Sequence, residues 1–97
     1  MQRLYVLVST TLEPVYGCVQ AGHAVAQWLL DNRDTQSWNN QYLVYLYADV
    51  DKWLFKLKLK NHTFSTFNEP DLNNQLTAIT MVNDGSLFRN LSKVSSN

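Results

Sequence analysis

The chain is poor in the residues that build disulfide frameworks, metal sites and phosphate-binding loops. It contains one cysteine, three glycines and two prolines in 97 residues. A single cysteine, Cys18, excludes an internal disulfide and a cysteine-based zinc site, and it is typical of a reducing compartment. Three glycines provide no glycine-rich phosphate loop. Because no segment approaches the roughly 20 apolar residues that span a bilayer, we expect a soluble, cytoplasmic protein.

The chain also lacks an excess of charge of either sign. Eight basic residues balance eight acidic ones, so the formal net charge is zero. No chain-wide field attracts polyanions, and we predict neither DNA nor a membrane as partner, although local patches remain possible. With 97 residues, 45% of them hydrophobic, the chain can build one core but not two. We predict a single domain over 1–92 and a disordered tail over 93–97.

The hydrophobic patterns predict alternating strands and helices. A short helix after Asp84 is expected to end the domain. The segment 51–60 fits a helix by its apolar spacing and a strand by its alternation; a helix is favoured because Asp49 or Asp51 can cap it. The order β-α-β-α-β-β-α predicts a three-layer α/β/α sandwich with a four-stranded mixed sheet. The longer elements are predicted as strands at 3–9, 42–48, 63–67 and 76–82, and helices at 16–32 and 51–60.

A polar stripe interrupts the first predicted helix, which is otherwise apolar nearly all the way round. Tyr16, Gln20, His23 and Gln27 share one side of the helix wheel. The remaining positions have the pattern of a largely buried helix. In parallel sheets, ligands collect where strand ends meet helix N-termini, and the stripe begins there. It is therefore either a solvated surface or one wall of a site.

Two further groups of polar residues admit the same two interpretations. The segment "NEPDLNNQLT", residues 68–77, is a solvated hairpin loop or the second wall of a site. Lys52, Lys56 and Lys60 recur every four residues, which indicates a solvated helix face or a phosphate-contacting patch.

The residues 4–27, "LYVLVSTTLEPVYGCVQAGHAVAQ", resemble the opening of the type 2 peptidyl-tRNA hydrolase family. In that family a first strand leads through a loop into a helix with a Gln-x-x-His-Ala signature, which Gln20, His23 and Ala24 match. The predicted element order also fits the family fold. Tyr16 replaces the family's lysine one helical turn before the glutamine, so a charged donor becomes a neutral phenol.

The resemblance continues, more weakly, in "EPDLNNQLTAI", residues 69–79. This segment lies where the family has an Asp-x-Gly-x-Thr loop, followed by a threonine-containing strand that ends in Ala-Ile. Asp71 corresponds to the loop acid and Thr77 to the strand threonine. Asn73 replaces the turn glycine, which is a mild change because asparagine tolerates the left-handed conformation. Gln75 replaces the loop threonine.

The resemblance implies hydrolysis of the ester between a peptide and the terminal ribose of tRNA, without a metal or organic cofactor. Asp71 would orient or deprotonate water, Gln20 and Thr77 would hydrogen-bond the carbonyl and ribose, and His23 would support the site. The implied catalytic residues are Gln20, His23, Asp71 and Thr77, and the implied substrate-binding residues are Tyr16, Glu69, Asn73 and Gln75. The family also suggests a homodimer. The alternative is a non-catalytic member of this fold that binds an RNA end, a nucleotide or a protein partner.

Overall fold

A strand at Arg3–Ser9 (β1) lies at the centre of a five-stranded mixed sheet, as its apolar run predicts. The structure is a computed structural model and describes residues 2–97. β1 pairs in parallel with Leu43–Ala48 (β2) and antiparallel with Gln75–Asn83 (β4). Ser65–Glu69 (β3) extends the sheet beyond β4, and Lys93–Ser96 (β5) extends it beyond β2. The strand order is therefore β3-β4-β1-β2-β5.

Two helices begin at acidic caps. Pro14–Asp31 (α1) starts with a proline in its first turn, and the Glu13 carboxylate accepts a hydrogen bond from the Tyr16 N–H at 2.6 Å. Val50–Leu59 (α2) is capped by Asp49, whose carboxylate accepts from the Lys52 N–H at 3.2 Å. The predicted helix at 51–60 is thus confirmed. Within residues 2–97, neither helix is long and apolar enough to cross a membrane.

Alternate residues of β1 pack against different helices. Val8 lies in an apolar cluster with Ala21 of α1, whereas its neighbour Leu7 lies in a cluster with Leu57 of α2. Successive side chains of a strand point to opposite faces, which explains this division. Gly17 brings the backbone of α1 close to β1, since a Cβ at this position would lie 2.9 Å from the Cγ1 of Val8.

The prediction of four strands and a disordered tail over 93–97 is wrong. Lys93–Ser96 pairs antiparallel with β2, and the Asn97 amide donates a hydrogen bond to the Gln41 carbonyl at 2.6 Å. Val94 is the only residue of this strand that is partly buried. The other three residues of the strand are polar and exposed. Backbone pairing rather than side-chain burial holds this edge strand, so hydrophobic patterning does not reveal it.

Two other predicted elements differ in the structure. The final helix is reduced to one 3-10 turn at Ser86–Phe88, with the Asp84 carboxylate accepting from the Ser86 N–H at 2.9 Å. β3 begins and ends two residues later than the predicted 63–67. Glu69 therefore lies at the end of a strand, and the hairpin loop starts only after it.

Candidate functional site

Buried hydrogen bonds connect α1 to the hairpin formed by β3 and β4. Thr77 Oγ1 donates to Gln20 Oε1 at 2.7 Å, and Gln20 Nε2 donates to Glu69 Oε1 at 3.0 Å. The Tyr16 hydroxyl donates to the same Glu69 oxygen at 3.3 Å. Gln20 and Thr77 are fully buried, and Glu69 is 9% exposed. We call these four residues the polar cluster.

A β-bulge directs Thr77 towards α1. The pairing of β3 with β4 runs from Phe67 opposite Ala78 to Asn68 opposite Leu76, so Thr77 has no partner across the pair. In a regular strand Thr77 and Ala78 would face opposite sides of the sheet. A bulge re-aims a side chain at such a position, and here it brings the Thr77 hydroxyl to the side that α1 covers.

Hydrogen bonds hold Glu69 in its ionised form. The bond from the Gln20 amide lowers the pKa of the Glu69 carboxyl, and burial opposes this effect. The Asp71 main-chain N–H, the Tyr16 hydroxyl and the charge of His23 lower this pKa further. In Tyr16, burial raises the pKa of the phenol, and the neighbouring Glu69 and Asp71 charges raise it as well. At neutral pH the cluster therefore pairs a carboxylate acceptor with a protonated phenol donor.

The lowered pKa of Glu69 makes part of the protein's stability depend on pH. The unfolded chain binds a proton at higher pH than the folded chain does, so stability is gained above the ordinary glutamate pKa. It is lost as the pH falls below the ordinary glutamate pKa and through the lower pKa of the folded protein. We expect the free energy of unfolding to fall less between pH 6 and pH 3 in Glu69→Gln than in the natural protein, measured by urea denaturation.

Asp84 is the control for this measurement. The hydrogen bond from the Ser86 N–H lowers the pKa of the Asp84 carboxyl as well, so its contribution has the same sign. Asp84→Asn should retain the part of the acid dependence that belongs to Glu69. An identical pH dependence in the natural protein and in Glu69→Gln would contradict the assignment.

His23 lies beside the polar cluster without a hydrogen bond to it. Its ring stacks on Phe67, with centroids 4.6 Å apart and planes 10° apart. His23 is exposed to solvent, whereas Phe67 is partly buried. The stacked pair forms a flat aromatic surface next to Gln20, on the side of the helix that carries the stripe.

The other predicted site residues lie outside the hydrogen-bonded cluster. Asp71 is exposed in the 3-10 turn Pro70–Leu72, which follows Glu69 directly. Asn73 adopts the left-handed conformation at φ 56°, as expected for a residue that replaces a turn glycine. Gln75 Nε2 lies 3.5 Å from Thr11 Oγ1. The side chains of Asp71, Asn73 and Gln75 make no hydrogen bond to the cluster among the described residues.

Glu69 occupies the central place that sequence reasoning assigned to Asp71. The predicted strand 63–67 ends before Glu69, which places Glu69 in the predicted loop. Extending the strand to Glu69 would have placed its side chain on the same face as Phe67, because residues two apart in a strand share a face. That alternation is the signal that could have identified Glu69.

The lysines of α2 lie apart from the polar cluster. Lys52, Lys56 and Lys60 are exposed, and the Lys56 ammonium lies 4.8 Å from the centroid of the Trp53 ring. Lys56 and Lys60 line a cavity of about 350 Å³ together with Trp53 and His62. Over residues 2–97, no group of three or more His, Cys, Asp or Glu side chains is arranged to hold a metal ion.

No family model matches the chain, and neither a curated protein nor a solved structure is significantly similar to it.

Proposed function

We propose that the chain is a peptidyl-tRNA hydrolase-like protein that cleaves the ester between a peptide and the terminal ribose of tRNA. The observation that carries the proposal is the polar cluster. Its buried Gln20, the glutamine of the Gln-x-x-His-Ala pattern, is held between the Thr77 hydroxyl and the Glu69 carboxylate. A buried glutamine with both ends of its amide paired is fixed in orientation, so its amide holds the Glu69 carboxylate in place.

Ester hydrolysis requires a positioned water, a proton acceptor and a donor to the developing oxyanion. Glu69 is the acceptor in this proposal. Its Oε1 receives the Gln20 and Tyr16 hydrogen bonds, and its second oxygen orients a water. The water oxygen attacks the ester carbonyl while a water proton passes to the carboxylate. The C–O bond to ribose then breaks, and the leaving ribose oxygen takes up the proton.

Tyr16 and His23 have supporting roles in the proposed reaction. The raised pKa of the Tyr16 phenol keeps it protonated, and its single O–H turns from Glu69 to the oxyanion in the transition state, where the resembling family has a lysine. The exposed stack of His23 on Phe67 offers a flat surface for the terminal base of the RNA, since aromatic rings stack readily on bases. Neither role needs a cofactor.

We include in the proposal the three-layer α/β/α arrangement that the element order predicts. The two faces of β1 support this arrangement, because Val8 lies in an apolar cluster with residues of α1 and Leu7 lies in one with residues of α2. In this arrangement the polar cluster lies on the α1 side, at the end of the sheet where the chain leaves β1.

The test is release of a labelled N-acetylaminoacyl group from N-acetylaminoacyl-tRNA. We expect turnover by the natural protein and a loss of roughly a hundredfold or more in Glu69→Gln, because an amide cannot accept the proton. Gln27→Ala is the matched control, since Gln27 shares the stripe but bonds only Asp31 among the described residues. Its turnover should be unchanged.

Asp71→Asn in the same assay distinguishes the two carboxylates. A smaller loss than in Glu69→Gln assigns the water to Glu69, whereas a loss confined to Asp71→Asn assigns it to the loop acid that the resemblance indicates. A folded natural protein that releases no label would contradict the hydrolase proposal.

One observation favours the non-catalytic alternative, in which the same surface binds an RNA end without cleaving it. The lowered pKa of Glu69 makes its carboxylate a weaker base than an ordinary glutamate, and general-base catalysis works best with a pKa near the working pH. Binding of a short CCA-ended RNA by the natural protein and by Glu69→Gln, with no turnover in either, would establish this alternative.

A further inference from the structure

A cavity lies between α2, the turn that follows it and the 3-10 turn Ser86–Phe88. Its volume of about 350 Å³ is within the range of small-molecule sites. No residue of the polar cluster lines it, so binding in this cavity is independent of the proposed hydrolase reaction. We call it the α2 pocket, and its lining includes Trp53, Lys56, Leu57, Lys60, His62 and Leu87.

One part of the α2 pocket is an apolar wall. Leu57 is almost fully buried, and the Trp53 ring packs against Phe88 with the two centroids 5.3 Å apart. This contact holds the 3-10 turn against α2 and brings the neighbouring Leu87 to the pocket. Leu59 also lines the pocket and is 67% exposed. An apolar ligand body placed here would remove this surface from water, which is favourable.

The end of α2 brings a histidine to the same pocket. Asn61 adopts the left-handed conformation at φ 56°, and the His62 N–H donates to the Leu57 carbonyl at 3.1 Å. This is the hydrogen bond of a Schellman motif, in which the chain turns back over the last helical turn. The turn therefore holds the partly buried His62 beside α2, where its side chain lines the pocket.

The ionisable side chains of the α2 pocket are all basic. Lys56 and Lys60 are four residues apart and therefore neighbours on the surface of the helix. The Lys56 ammonium lies 4.8 Å from the centroid of the Trp53 ring, and this cation–π contact keeps it at the pocket. Among the described residues, no acidic side chain lines the pocket. Four of the eight basic residues of the chain lie in 52–60, and that segment contains no acidic residue.

We propose that the α2 pocket binds a small apolar carboxylate, an anion with a hydrophobic body. The body packs against the apolar wall, and the two carboxylate oxygens accept hydrogen bonds from the ammonium groups of Lys56 and Lys60. An apolar wall with a few convergent polar groups is the usual composition of a ligand site. A phosphate group alone would use the lysines but leave the apolar wall in water. The wall therefore favours an apolar carboxylate over the phosphate contact that the lysine spacing also allows.

Titration of the ¹⁵N-labelled protein with naphthalene-2-carboxylate, followed by NMR, tests the proposal. We expect a saturable shift of the main-chain amide signals of Lys60, His62 and Leu87. Naphthalene-2-carboxamide has the same body and nearly the same shape without the charge, so it should bind about fivefold more weakly or worse. Equal affinity for the two compounds, the absence of saturable shifts, or shifts centred outside the pocket would overturn the proposal.

Two pairs of lysines separate a local contact from general attraction of anions. The double variant Lys56→Gln, Lys60→Gln should lower the affinity for the carboxylate to that of the carboxamide and leave carboxamide binding unchanged. The double variant Lys52→Gln, Lys58→Gln is the matched control, because it removes the same charge from exposed positions of the same helix that do not line the pocket. An equal loss of carboxylate binding in both double variants would contradict the proposed contact.

A substitution in the apolar wall tests the second half of the contact. Leu59→Gln should weaken binding of both naphthalene compounds, because it removes apolar surface from the pocket. Phe55→Gln is the matched control: Phe55 is exposed to nearly the same extent on the same helix but does not line the pocket, so binding should be unchanged. Unchanged binding in Leu59→Gln, or inorganic phosphate binding as tightly as naphthalene-2-carboxylate, would show that the wall is not used and overturn the proposal.

Discussion

Replacing Thr77 with valine should lower the free energy of unfolding by about 1–3 kcal/mol. The substitution nearly preserves shape and removes the hydroxyl that donates to Gln20 Oε1. Because Gln20 is fully buried, its carbonyl oxygen would remain without a donor in an environment that water does not reach. An unpaired buried acceptor costs more than the hydrogen bond itself contributes. Urea denaturation with linear extrapolation gives the difference.

Thr80 is the matched control for this prediction. It lies on the same strand and is also fully buried, but its Oγ1 has no hydrogen-bond partner among residues 2–97. Thr80→Val replaces an unpaired hydroxyl with a methyl group, so the free energy of unfolding should stay the same or rise. An equal decrease in the free energy of unfolding in the two variants would show that the Thr77–Gln20 hydrogen bond does not contribute measurably to stability.

Replacing Tyr16 with lysine should raise turnover roughly ten- to hundredfold if the protein is a hydrolase with a weakened site. A lysine at this position would place an ammonium group next to Glu69, where the phenol now donates at 3.3 Å. Hydrogen bonds from a charged donor to a developing oxyanion are stronger than those from a neutral donor, and the gain in transition-state stabilisation appears directly in the rate. Release of labelled N-acetylaminoacyl groups from tRNA measures it.

Gln27→Lys separates a local effect from a change in net charge. Gln27 lies on the same stripe as Tyr16 but three helical turns away, where its amide bonds Asp31. This variant adds the same positive charge and should leave turnover unchanged. An equal rise in both variants would assign the effect to general attraction of RNA, and no rise in Tyr16→Lys would remove the role of position 16 in catalysis.

The central elements of the fold could be predicted from sequence because their patterns are dominated by burial. The apolar side chains of β1 are buried on both faces only if the strand lies between neighbouring strands. The segment of α2 is predicted as a helix because Asp49 can cap it and its apolar residues have helical spacing. β5 could not be predicted in this way. Its four residues, Lys93–Ser96, are held by backbone hydrogen bonds to β2, and these bonds do not depend on side-chain hydrophobicity.

The candidate site, like the fold, could be predicted from the sequence only in part. The sequence alone determined that Gln20 and Tyr16 share one side of α1, because helical periodicity follows from 3.6 residues per turn. It also identified Thr77 and Glu69 as residues of the facing hairpin. Their roles were decided only by the tertiary structure, since the bulge turns Thr77 towards α1 and the longer β3 carries Glu69 to the Gln20 amide. Strand ends and bulges depend on pairing between distant segments, so the residues that meet there cannot be inferred from local periodicity.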